Sequence, residues 1–304
     1  MKRFSYHEPE TVSEVFDLLK ELGKGAKLLA GGTDLLVQMK RGVISPEYLI
    51  NLKRINELKS YSIDEENISL GPLTSLRAIE KEKFFRENCS VLANTAAQMA
   101  SPQIRYLATI GGNLCNASPS ADMAPPLIAL GSSVVLAGQE GSRKVILEEF
   151  FQGPGNSVLD DKELMTQVIV PTLKPTARAC YLKHSFRKAH DIALVGAAVM
   201  LDIGEDGTTV KEAKIVLGAV APTPIRALAA ETILKHEKIN QHVISEAARL
   251  AVDAATPIDD IRTNASYRKK IVEVLVARAL KQLLPEGRIE YGNANKFKSQ
   301  WGVS

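Results

Sequence analysis

The sequence predicts an α+β fold of several subdomains, and three observations lead to this prediction. The first part of the chain alternates short apolar strands with helices, the middle part adds hairpin patterns, and the last part places its strands before its helices. A run of strands followed by a run of helices is typical of α+β proteins. At 304 residues the chain is long enough for two or three domains with a well-buried core.

A helix is predicted near the N-terminus. Thr11 and Glu14 have the spacing of a capping box, and apolar residues recur at helical spacing from Val12 to Leu22. Gly23 follows the last of them, and glycine is a common residue just past the end of a helix. The pattern therefore indicates a helix that ends at Gly23.

Short strands and helices continue to about residue 100. AKLLA (26–30) and EYLIN (47–51) are predicted strands, and a glycine pair with a turn or short helix lies between them. LKSYSID and ISLGP flank the polar turn DEEN, which indicates a hairpin. Helices are predicted for TSLRAIEKE and for the stretch from Asn88 to Met99.

The segment from Thr109 to Asp122, TIGGNLCNASPSAD, has the composition of a loop. Two large aliphatic residues stand among small and polar ones, yet the segment lies between two apolar helical stretches. We therefore expect a loop that is held in place. Asp122 or Ser120 is expected to cap the following helix, MAPPLIAL, which carries Pro125 and Pro126 in its first turn.

The rest of the chain is predicted to form a hairpin and then a third block of strands followed by helices. SSVVLAG and RKVILEEF flank the turn QEGS. The third block, about 176–284, begins with three strand patterns, RACYLKHSF, ALVGAAVMLDI and TTVKEAKIVLGAV. Three predicted helices follow, at 228–236, in NQHVISEAARLAVDAA and in SYRKKIVEVLVARALKQLL. Pro285 is expected to end the last helix, and the polar residues 286–304 are expected to be extended.

Composition excludes several classes of function. A net charge of +3 is too small to indicate a nucleic-acid or membrane partner. Neither a long apolar run nor a signal-peptide pattern is present, so we expect no membrane insertion and a cytoplasmic location. Cys89, Cys115 and Cys180 lie far apart. We expect buried or half-buried thiols, and no metal or iron–sulfur site on this chain.

Two Gly-Gly loops, AGGTD and TIGGN, indicate a binding site. Glycine lets the backbone approach a ligand closely, and successive N–H groups can then converge on an anion. Neutral donors such as Thr33 and Asn113 accompany the glycines, and neither a P-loop nor a Rossmann motif is present. Each loop alone could be a tight turn between a strand and a helix. Together they favour an anionic ligand of dinucleotide size.

Four segments carry a resemblance to a known family. They are KLLAGGTDLL (27–36), ATIGGNLCNASPSADMAPPLIAL (108–130), GPG (153–155) and VAPTPIRA (220–227). In this order and spacing they resemble the FAD-binding medium subunit of the xanthine dehydrogenase and carbon monoxide dehydrogenase family of molybdenum hydroxylases. The resemblance spans roughly residues 1–284.

The resemblance implies the FAD-binding fold of the vanillyl-alcohol-oxidase or PCMH type. Two α/β subdomains would hold an extended FAD, and a C-terminal domain with a three-stranded antiparallel sheet and a helical bundle would cover one side. On this chain the implied boundaries are 1–56 and 57–175 for the subdomains, 176–284 for the C-terminal domain and 285–304 for an extended tail.

The resemblance also implies which residues bind FAD. Two pyrophosphate loops are implied, with Asp122 beside a ribityl or ribose hydroxyl and with Met165 and Lys183 near the isoalloxazine ring. Met99 stands where some relatives place an aromatic ring over the flavin, although it could equally be a core residue. The implied cofactor-binding residues are Lys27, Leu28, Leu29, Ala30, Gly31, Gly32, Thr33, Asp34, Leu35, Met99, Thr109, Gly111, Gly112, Asn113, Asn116, Asp122, Met165 and Lys183.

Function and partners are likewise implied by the resemblance. An iron–sulfur small subunit would carry two [2Fe–2S] clusters, and a large subunit would carry the molybdenum–pterin cofactor, in a dimer of heterotrimers. Electrons would pass from the clusters through FAD to an acceptor such as NAD, and no residue of this chain is expected to act as a catalytic acid or base. Relatives that bind FAD covalently have a histidine where Thr33 stands, so non-covalent binding is expected.

Alternatives remain at this point. The chain could be a stand-alone FAD-dependent oxidase or reductase of the same fold, or a non-catalytic nucleotide-binding or assembly protein. His184 and His190 are expected to be solvated or packing residues. The basic residues of 262–281 are expected to form a solvated helix surface rather than a docking face.

Overall fold

The computed structural model describes residues 1–187 and 190–284. The predicted tail, 285–304, with Pro285, therefore lies outside the described residues. Within the described part of the chain, no helix is both long and apolar enough to cross a lipid bilayer.

The N-terminal part is a small parallel sheet with two helices. Thr11 accepts a hydrogen bond from the backbone N–H of Glu14, as the capping box predicts, and the first helix buries Val15 and Leu19 against the sheet. The strand order is β1-β3-β2. The elements are β1 (Ser5–His7), α1 (Val12–Leu22), β2 (Ala26–Leu29), α2 (Leu35–Arg41) and β3 (Tyr48–Asn51).

The middle part is built on a five-stranded antiparallel sheet that helices cover. The strand order is β4-β5-β10-β6-β7, and a two-stranded hairpin, β8-β9, stands apart from it. In chain order the elements are β4 (Tyr61–Ile63), β5 (Asn67–Leu70), α3 (Leu76–Lys81), α4 (Lys83–Asn88), α5 (Ser90–Ala97), α6 (Pro102–Leu107), α7 (Ile110–Cys115), α8 (Ala124–Ala129), β6 (Ser133–Gly138), β7 (Gly141–Ile146), α9 (Leu147–Phe150), β8 (Phe151–Gly153), β9 (Asn156–Ser157) and β10 (Leu164–Pro171).

The C-terminal part is an antiparallel sheet backed by three helices. The three long strands predicted from the sequence are present, but a fourth strand of two residues extends the sheet in the order β11-β12-β13-β14. Two residues are too short to show a period of alternation, which is why the sequence predicted three strands. The elements are β11 (Ala177–His184), β12 (Val195–Ile203), β13 (Val210–Gly218), β14 (Ile225–Arg226), α10 (Leu228–Leu234), α11 (Gln241–Ala254) and α12 (Ala265–Leu283).

The two faces of the C-terminal sheet pack into two different hydrophobic cores. Tyr181 and Ala198 lie on the face that joins the core of the middle part, beside α5 and α8. Cys180 and Val199 lie on the opposite face and pack against the C-terminal helices. The alternation of side chains along a strand thus ties the C-terminal sheet to both neighbours.

Two local predictions in the segment 109–122 are wrong. Its first half is the helical turn α7, which begins where the Thr109 side chain accepts a hydrogen bond from the Gly112 N–H. Two adjacent glycines have poor helix propensity, so only the contacts of the folded chain reveal this turn. Asp122 and Ser120 do not cap α8, because Met123 is the residue that precedes it and no side chain caps it.

Candidate cofactor cleft

One large cleft of about 1350 Å³ is lined by both glycine loops and by loop residues of the C-terminal part, such as Asp191 and Arg262. Pockets for drug-sized ligands usually measure roughly 300–1,000 Å³, so this cleft suits a longer molecule. Of the residues implied to bind the cofactor, all except Leu29 and Lys183 line it. Leu29 is buried beneath the first loop, and the side chain of Lys183 lies behind Asp122.

The first glycine loop connects β2 to α2 and presents backbone donors to the cleft. The N–H groups of residues 31–34 form no hydrogen bond with any described residue, whereas the carbonyl of Gly32 accepts from Leu36 at the start of α2. Gly32 has a φ of +78°, a left-handed conformation that favours glycine. Consecutive free N–H groups in such a turn can bind an anion.

The two glycine loops lie against each other. A Cβ added to Gly31 would overlap the carbonyl group of Leu107, just before the second loop. A Cβ added to Gly112 would lie 2.9 Å from the Thr109 hydroxyl oxygen and 3.8 Å from the Cβ of Ala30 in the first loop. The pair of loops therefore forms one continuous wall of the cleft.

The second loop contributes side chains rather than free backbone N–H groups. The N–H of Gly111 donates to the Pro72 carbonyl at 2.8 Å, and those of Gly112 and Asn113 donate to Thr109. These amides are used within the fold, which differs from the expectation that both loops offer them. The buried Oδ1 of Asn113 has no partner among the described residues. A polar ligand group in the cleft would satisfy it.

Three sulfur-containing side chains are among the apolar residues that line the cleft. Met99 and Met165 both line it and are almost fully buried, and both also belong to the hydrophobic core of the middle part. Thioethers pack well on aromatic faces. Cys115 also lines the cleft, and burial raises the pKa of its thiol to about 12.

The carbonyl groups at Met99 and Ala100 are held by a buried arginine. Arg105 donates to the Met99 carbonyl at 2.6 Å and pairs with Glu80 at 2.8 Å. Burial raises the pKa of Glu80, but the hydrogen bonds from Arg105 and Arg77 outweigh this and hold it below the usual value. Ala100 also lines the cleft and has a φ of +41°, a strained backbone conformation that these contacts help to hold.

Asp122 is bound on both carboxylate oxygens by residues of β11. The hydroxyl group of Tyr181 donates to Oδ1 and the ammonium group of Lys183 donates to Oδ2, each at 2.7 Å. Burial raises the pKa of Asp122, and Lys183 and Tyr181 act in the opposite direction. Sequence reasoning selected Asp122 and Lys183 but missed Tyr181, because 59 residues separate it from Asp122.

The rim of the cleft contains charged residues that the sequence did not reveal. Arg187 and Asp191 form an ion pair at 3.7 Å, and Arg262 pairs with Asp260 at 3.1 Å. His190, which was expected to be solvated or packed, lies exposed at this rim with a φ of +55°. His184 forms a hydrogen bond with the Tyr267 hydroxyl group, 3.1 Å away.

The basic block 262–281 is not a uniform solvated surface. Arg268 is buried, donates to the carbonyl groups of Leu194 and Ala219, and pairs with Asp260 at 2.8 Å. It therefore joins α12 to the C-terminal sheet. The prediction of a solvated surface is wrong for this residue because helical spacing alone does not show which face an adjoining sheet covers.

These features together suit a dinucleotide with an aromatic ring system. Free amides, an unpartnered amide oxygen and two methionines line the same cleft, and Asp122, which is paired with Lys183, borders it. Neutral donors can hold a diphosphate without lysine side chains. The residues present thus fit the ligand that the glycine loops predict.

Comparison with known proteins gives two family matches. A model described as the FAD binding domain in molybdopterin dehydrogenase matches residues 2–173. A second, described as the CO dehydrogenase flavoprotein C-terminal domain, matches residues 180–283.

Similar whole chains are known as well. The carbon monoxide dehydrogenase medium chain of Afipia carboxidovorans is 32% identical over 279 residues, which is 92% of this chain and 96% of the relative. The glyceraldehyde dehydrogenase medium chain of Sulfolobus acidocaldarius is 31% identical over 92% of this chain and 98% of its own. A solved carbon monoxide dehydrogenase from Hydrogenophaga pseudoflava, which lacks the Mo-pyranopterin moiety of its cofactor, matches with a TM-score of 0.89 and 34% identity over 93% of this chain and 97% of the other.

Proposed function

The chain belongs to the family of FAD-binding medium subunits of molybdenum hydroxylases, and we propose that it passes electrons from the [2Fe–2S] clusters of a partner subunit, through non-covalently held FAD, to an external acceptor such as NAD. The family resemblance and the α+β FAD-binding fold predicted from the sequence are confirmed by these matches. The chain is an oxidoreductase subunit with FAD as its cofactor.

The observation that carries this proposal is the meeting of the two glycine loops on one wall of one cleft. The free N–H groups of residues 31–34 would hold the diphosphate, and Asn113 and Asn116 would add neutral side-chain contacts. Met99 and Met165 would contact the aromatic ring system. Asp122 would accept a hydrogen bond from a ribityl or ribose hydroxyl, and Lys183 behind it would supply positive charge.

FAD supplies the reversible electron storage that protein side chains lack. The protein's own contribution is binding, orientation and exclusion of water from part of the cleft. Its residues need no acid or base of the kind that hydrolases use. Thr33, at the cleft wall, offers no nucleophile comparable to a histidine, in agreement with non-covalent attachment.

We further propose that the chain assembles with an iron–sulfur small subunit and a molybdopterin-binding large subunit in a dimer of heterotrimers. The relatives are medium chains of dehydrogenases whose names give different substrates, carbon monoxide and glyceraldehyde. That difference supports a substrate site on another subunit. Subdomain boundaries at 56 and 175 and a C-terminal domain of 176–284 remain part of this proposal.

FAD binding is tested by titrating flavin into the flavin-free full chain and following flavin fluorescence. A suitable variant is Gly112→Val, whose new side chain starts between the two loops and narrows the space between them. Gly153→Val is the matched control, because no atom lies within 4 Å of a Cβ added there. We expect Gly112→Val to lose FAD binding and Gly153→Val to keep it; full binding by Gly112→Val would contradict the loop assignment.

Gly111 is a poorer test position than Gly112. A Cβ added to Gly111 would overlap Pro72, so a substitution there would disturb the fold before it reached the ligand. Non-covalent attachment is tested separately by acid precipitation of the purified complex. All flavin should appear in the supernatant, and yellow colour in the pellet would contradict the proposal.

The electron-transfer role is tested on the native complex. Mass spectrometry should find the chain together with an iron–sulfur subunit and a molybdenum subunit. Bleaching of the flavin absorbance after addition of the complex's reducing substrate, and its recovery on addition of NAD⁺, would support the proposed direction. A chain that oxidises a substrate by itself, without partners, would contradict the proposal.

A further inference from the structure

Two side chains of β11, on the same face of the sheet, donate hydrogen bonds to the carboxylate of Asp122. Tyr181 and Lys183 are two residues apart and therefore point to the same side of the sheet, where each binds one carboxylate oxygen at 2.7 Å. Tyr181 is 6% exposed and Asp122 is 7% exposed. Both groups are thus removed from bulk water, although Asp122 borders the cleft.

A glycine in the neighbouring strand makes room for the tyrosine. Gly196 pairs with Lys183 across the sheet. A Cβ added to Gly196 would lie only 2.5 Å from the hydroxyl oxygen of Tyr181 and 3.0 Å from its ring. The absence of a side chain at Gly196 therefore allows the phenol group to lie flat on the sheet and to reach Asp122.

We propose that Tyr181 is a positioning residue of the FAD site, which holds the Asp122 carboxylate as a fixed anion oriented toward the cleft. This inference rests on the proposed function, since it assigns Tyr181 a role in the binding of FAD. Nothing in the motifs or in the family matches singles out Tyr181. Its contact with Asp122 is known only from the fold.

A second donor is needed because Lys183 is shared. Its ammonium group also donates to the backbone carbonyl of Asp191 at 2.9 Å, on the rim of the cleft. With Lys183 alone, one oxygen of Asp122 would be buried without a donor. Burying an ionised carboxylate oxygen without a donor raises the free energy of the folded protein. The carboxylate would therefore turn toward water or take up a proton.

The charged groups around Asp122 define what a pH experiment would measure. Lys183 and Tyr181 face the carboxylate from β11, and His190, Asp191 and Arg187 lie on the rim of the same cleft. Arg187 is already paired with Asp191. Burial raises the pKa of Asp122, and the tyrosine is one of the two groups that lower it.

Removing the hydroxyl group should therefore make FAD binding weaker and more sensitive to pH. Without FAD, water in the open cleft can replace the missing donor, but bound FAD would exclude that water. Because hydrogen bonds to charged groups are among the stronger ones in proteins, we expect FAD binding to be weaker by roughly tenfold or more. Because the pKa of Asp122 rises further in the variant, the affinity should begin to fall at a higher pH than in the wild type.

The experiment compares Tyr181→Phe with the wild type. Flavin-free full chains are titrated with FAD at intervals from pH 5 to pH 8, and near-ultraviolet circular dichroism checks the fold. Tyr267→Phe is the matched control, because it loses one hydroxyl group, bound to His184, that does not face the cleft. Gly196→Ala is a second variant, since its methyl group should displace the phenol group of Tyr181. The variant still contains Tyr181, Lys183 and Asp122.

The outcomes separate this inference from the proposed function. Weaker binding and a shifted pH profile in Tyr181→Phe and in Gly196→Ala, with Tyr267→Phe unchanged, would support the positioning role. A folded Tyr181→Phe with wild-type affinity and pH profile would overturn it while leaving the proposed function intact; if Tyr181→Phe does not fold, the same result in Gly196→Ala decides. A wild-type chain without affinity for FAD would overturn the proposed function itself.

Discussion

Gly31 and Leu107 pack backbone against backbone where the two glycine loops meet. The carbonyl group of Leu107 occupies the space in which a side chain at residue 31 would begin. The sequence suggested that this glycine allows a ligand to approach, but its Cβ position faces protein instead. Gly31 is thus required for the contact between the loops, which in turn orients the free N–H groups of the first loop.

Gly31→Ala should destabilise the protein and weaken FAD binding together. The added methyl group must push the backbone of Leu107 away, and overpacking of this kind costs about 1–3 kcal/mol. Urea unfolding and FAD titration measure the two effects. Gly153→Ala, in open space, should leave both unchanged. If Gly31→Ala keeps the wild-type stability and FAD affinity, the two loops are not in contact.

Lys183→Met should destabilise the flavin-free protein most strongly at high pH. Removing one partner of a buried ion pair costs about 3–5 kcal/mol, since Asp122 would stay buried and charged without a cation. Burial already raises the pKa of Asp122, and loss of Lys183 raises it further. As the pH falls through that raised pKa, protonated Asp122 no longer needs the cation, so the deficit should shrink between pH 8 and pH 5.

Urea unfolding at both pH values measures this change. Lys174→Met is the matched control, because Lys174 pairs with Asp202 at 3.1 Å while 70% of its side chain is exposed. Because Lys174 is largely exposed and Thr176 still donates to the buried Asp202 carboxylate after its loss, a smaller effect than that of Lys183→Met is expected there. An equally large loss at both pH values in Lys183→Met would show that packing, and not charge, is what Lys183 contributes.

Arg105→Met should destabilise the turn at Met99 and Ala100 at neutral pH, and this loss of stability should become small in strong acid. The loss of this buried partner of Glu80 costs about 3 kcal/mol at neutral pH, although Arg77 and Lys81 still contact that carboxylate. The pKa of Glu80 is lowered in the folded protein. The stabilisation is therefore present above the unfolded value of about 4.3 and is lost as the pH falls through the lowered pKa.

The difference in urea midpoint between Arg105→Met and wild type should therefore be large at pH 7 and small in strong acid. Arg143→Met is a suitable comparison, since Arg143 pairs with Glu163 at 2.7 Å but is half exposed. Its loss should cost less than that of Arg105. Equal losses in the two variants would contradict the importance of burial for the Arg105 pair.

The three cysteine thiols should be unreactive in the native protein. Burial raises the pKa of Cys89 to about 11 and those of Cys115 and Cys180 to about 12. At pH 8 roughly one thiol in a thousand or fewer would be ionised, and the thiolate is the reactive form. Intact-mass measurement after iodoacetamide treatment should show no adduct before urea is added and three adducts afterwards. Rapid native labelling of Cys89 or Cys180 would contradict their burial, and rapid labelling of Cys115, which is half-buried and lines the cleft, would contradict the raised pKa of its thiol.

Much of the fold could be predicted because its signals are local. The helix after Thr11, the three long strands of the C-terminal sheet and the prolines of the helix Ala124–Ala129 all follow from short patterns of residue type. The glycine turn Ile110–Cys115 could not be predicted in this way. Its residues favour a loop, and it is stabilised by contacts with distant backbone such as the carbonyl of Pro72.

The candidate site was predicted in part for a related reason. Glycine pairs and the residues of their motifs can be recognised one by one, and most of the residues selected in this way lie along one cleft of the folded chain. Arg268 was assigned to a solvated surface, but the sheet that buries it lies elsewhere in the chain. Helical periodicity gives an apolar stripe and not the identity of what covers it.

By itself, the sequence determined the succession of strands and helices, the two glycine loops, and the family to which the chain belongs. Only the tertiary structure decided that the Cβ position of Gly31 faces Leu107 and that the N–H groups of the second loop form hydrogen bonds within the protein. It also decided that the Tyr181 hydroxyl group donates to Asp122. The physical reason is range. Periodicity and backbone freedom are properties of neighbouring residues. A hydrogen bond across 59 residues exists only after the segment that carries Asp122 has packed against the C-terminal sheet.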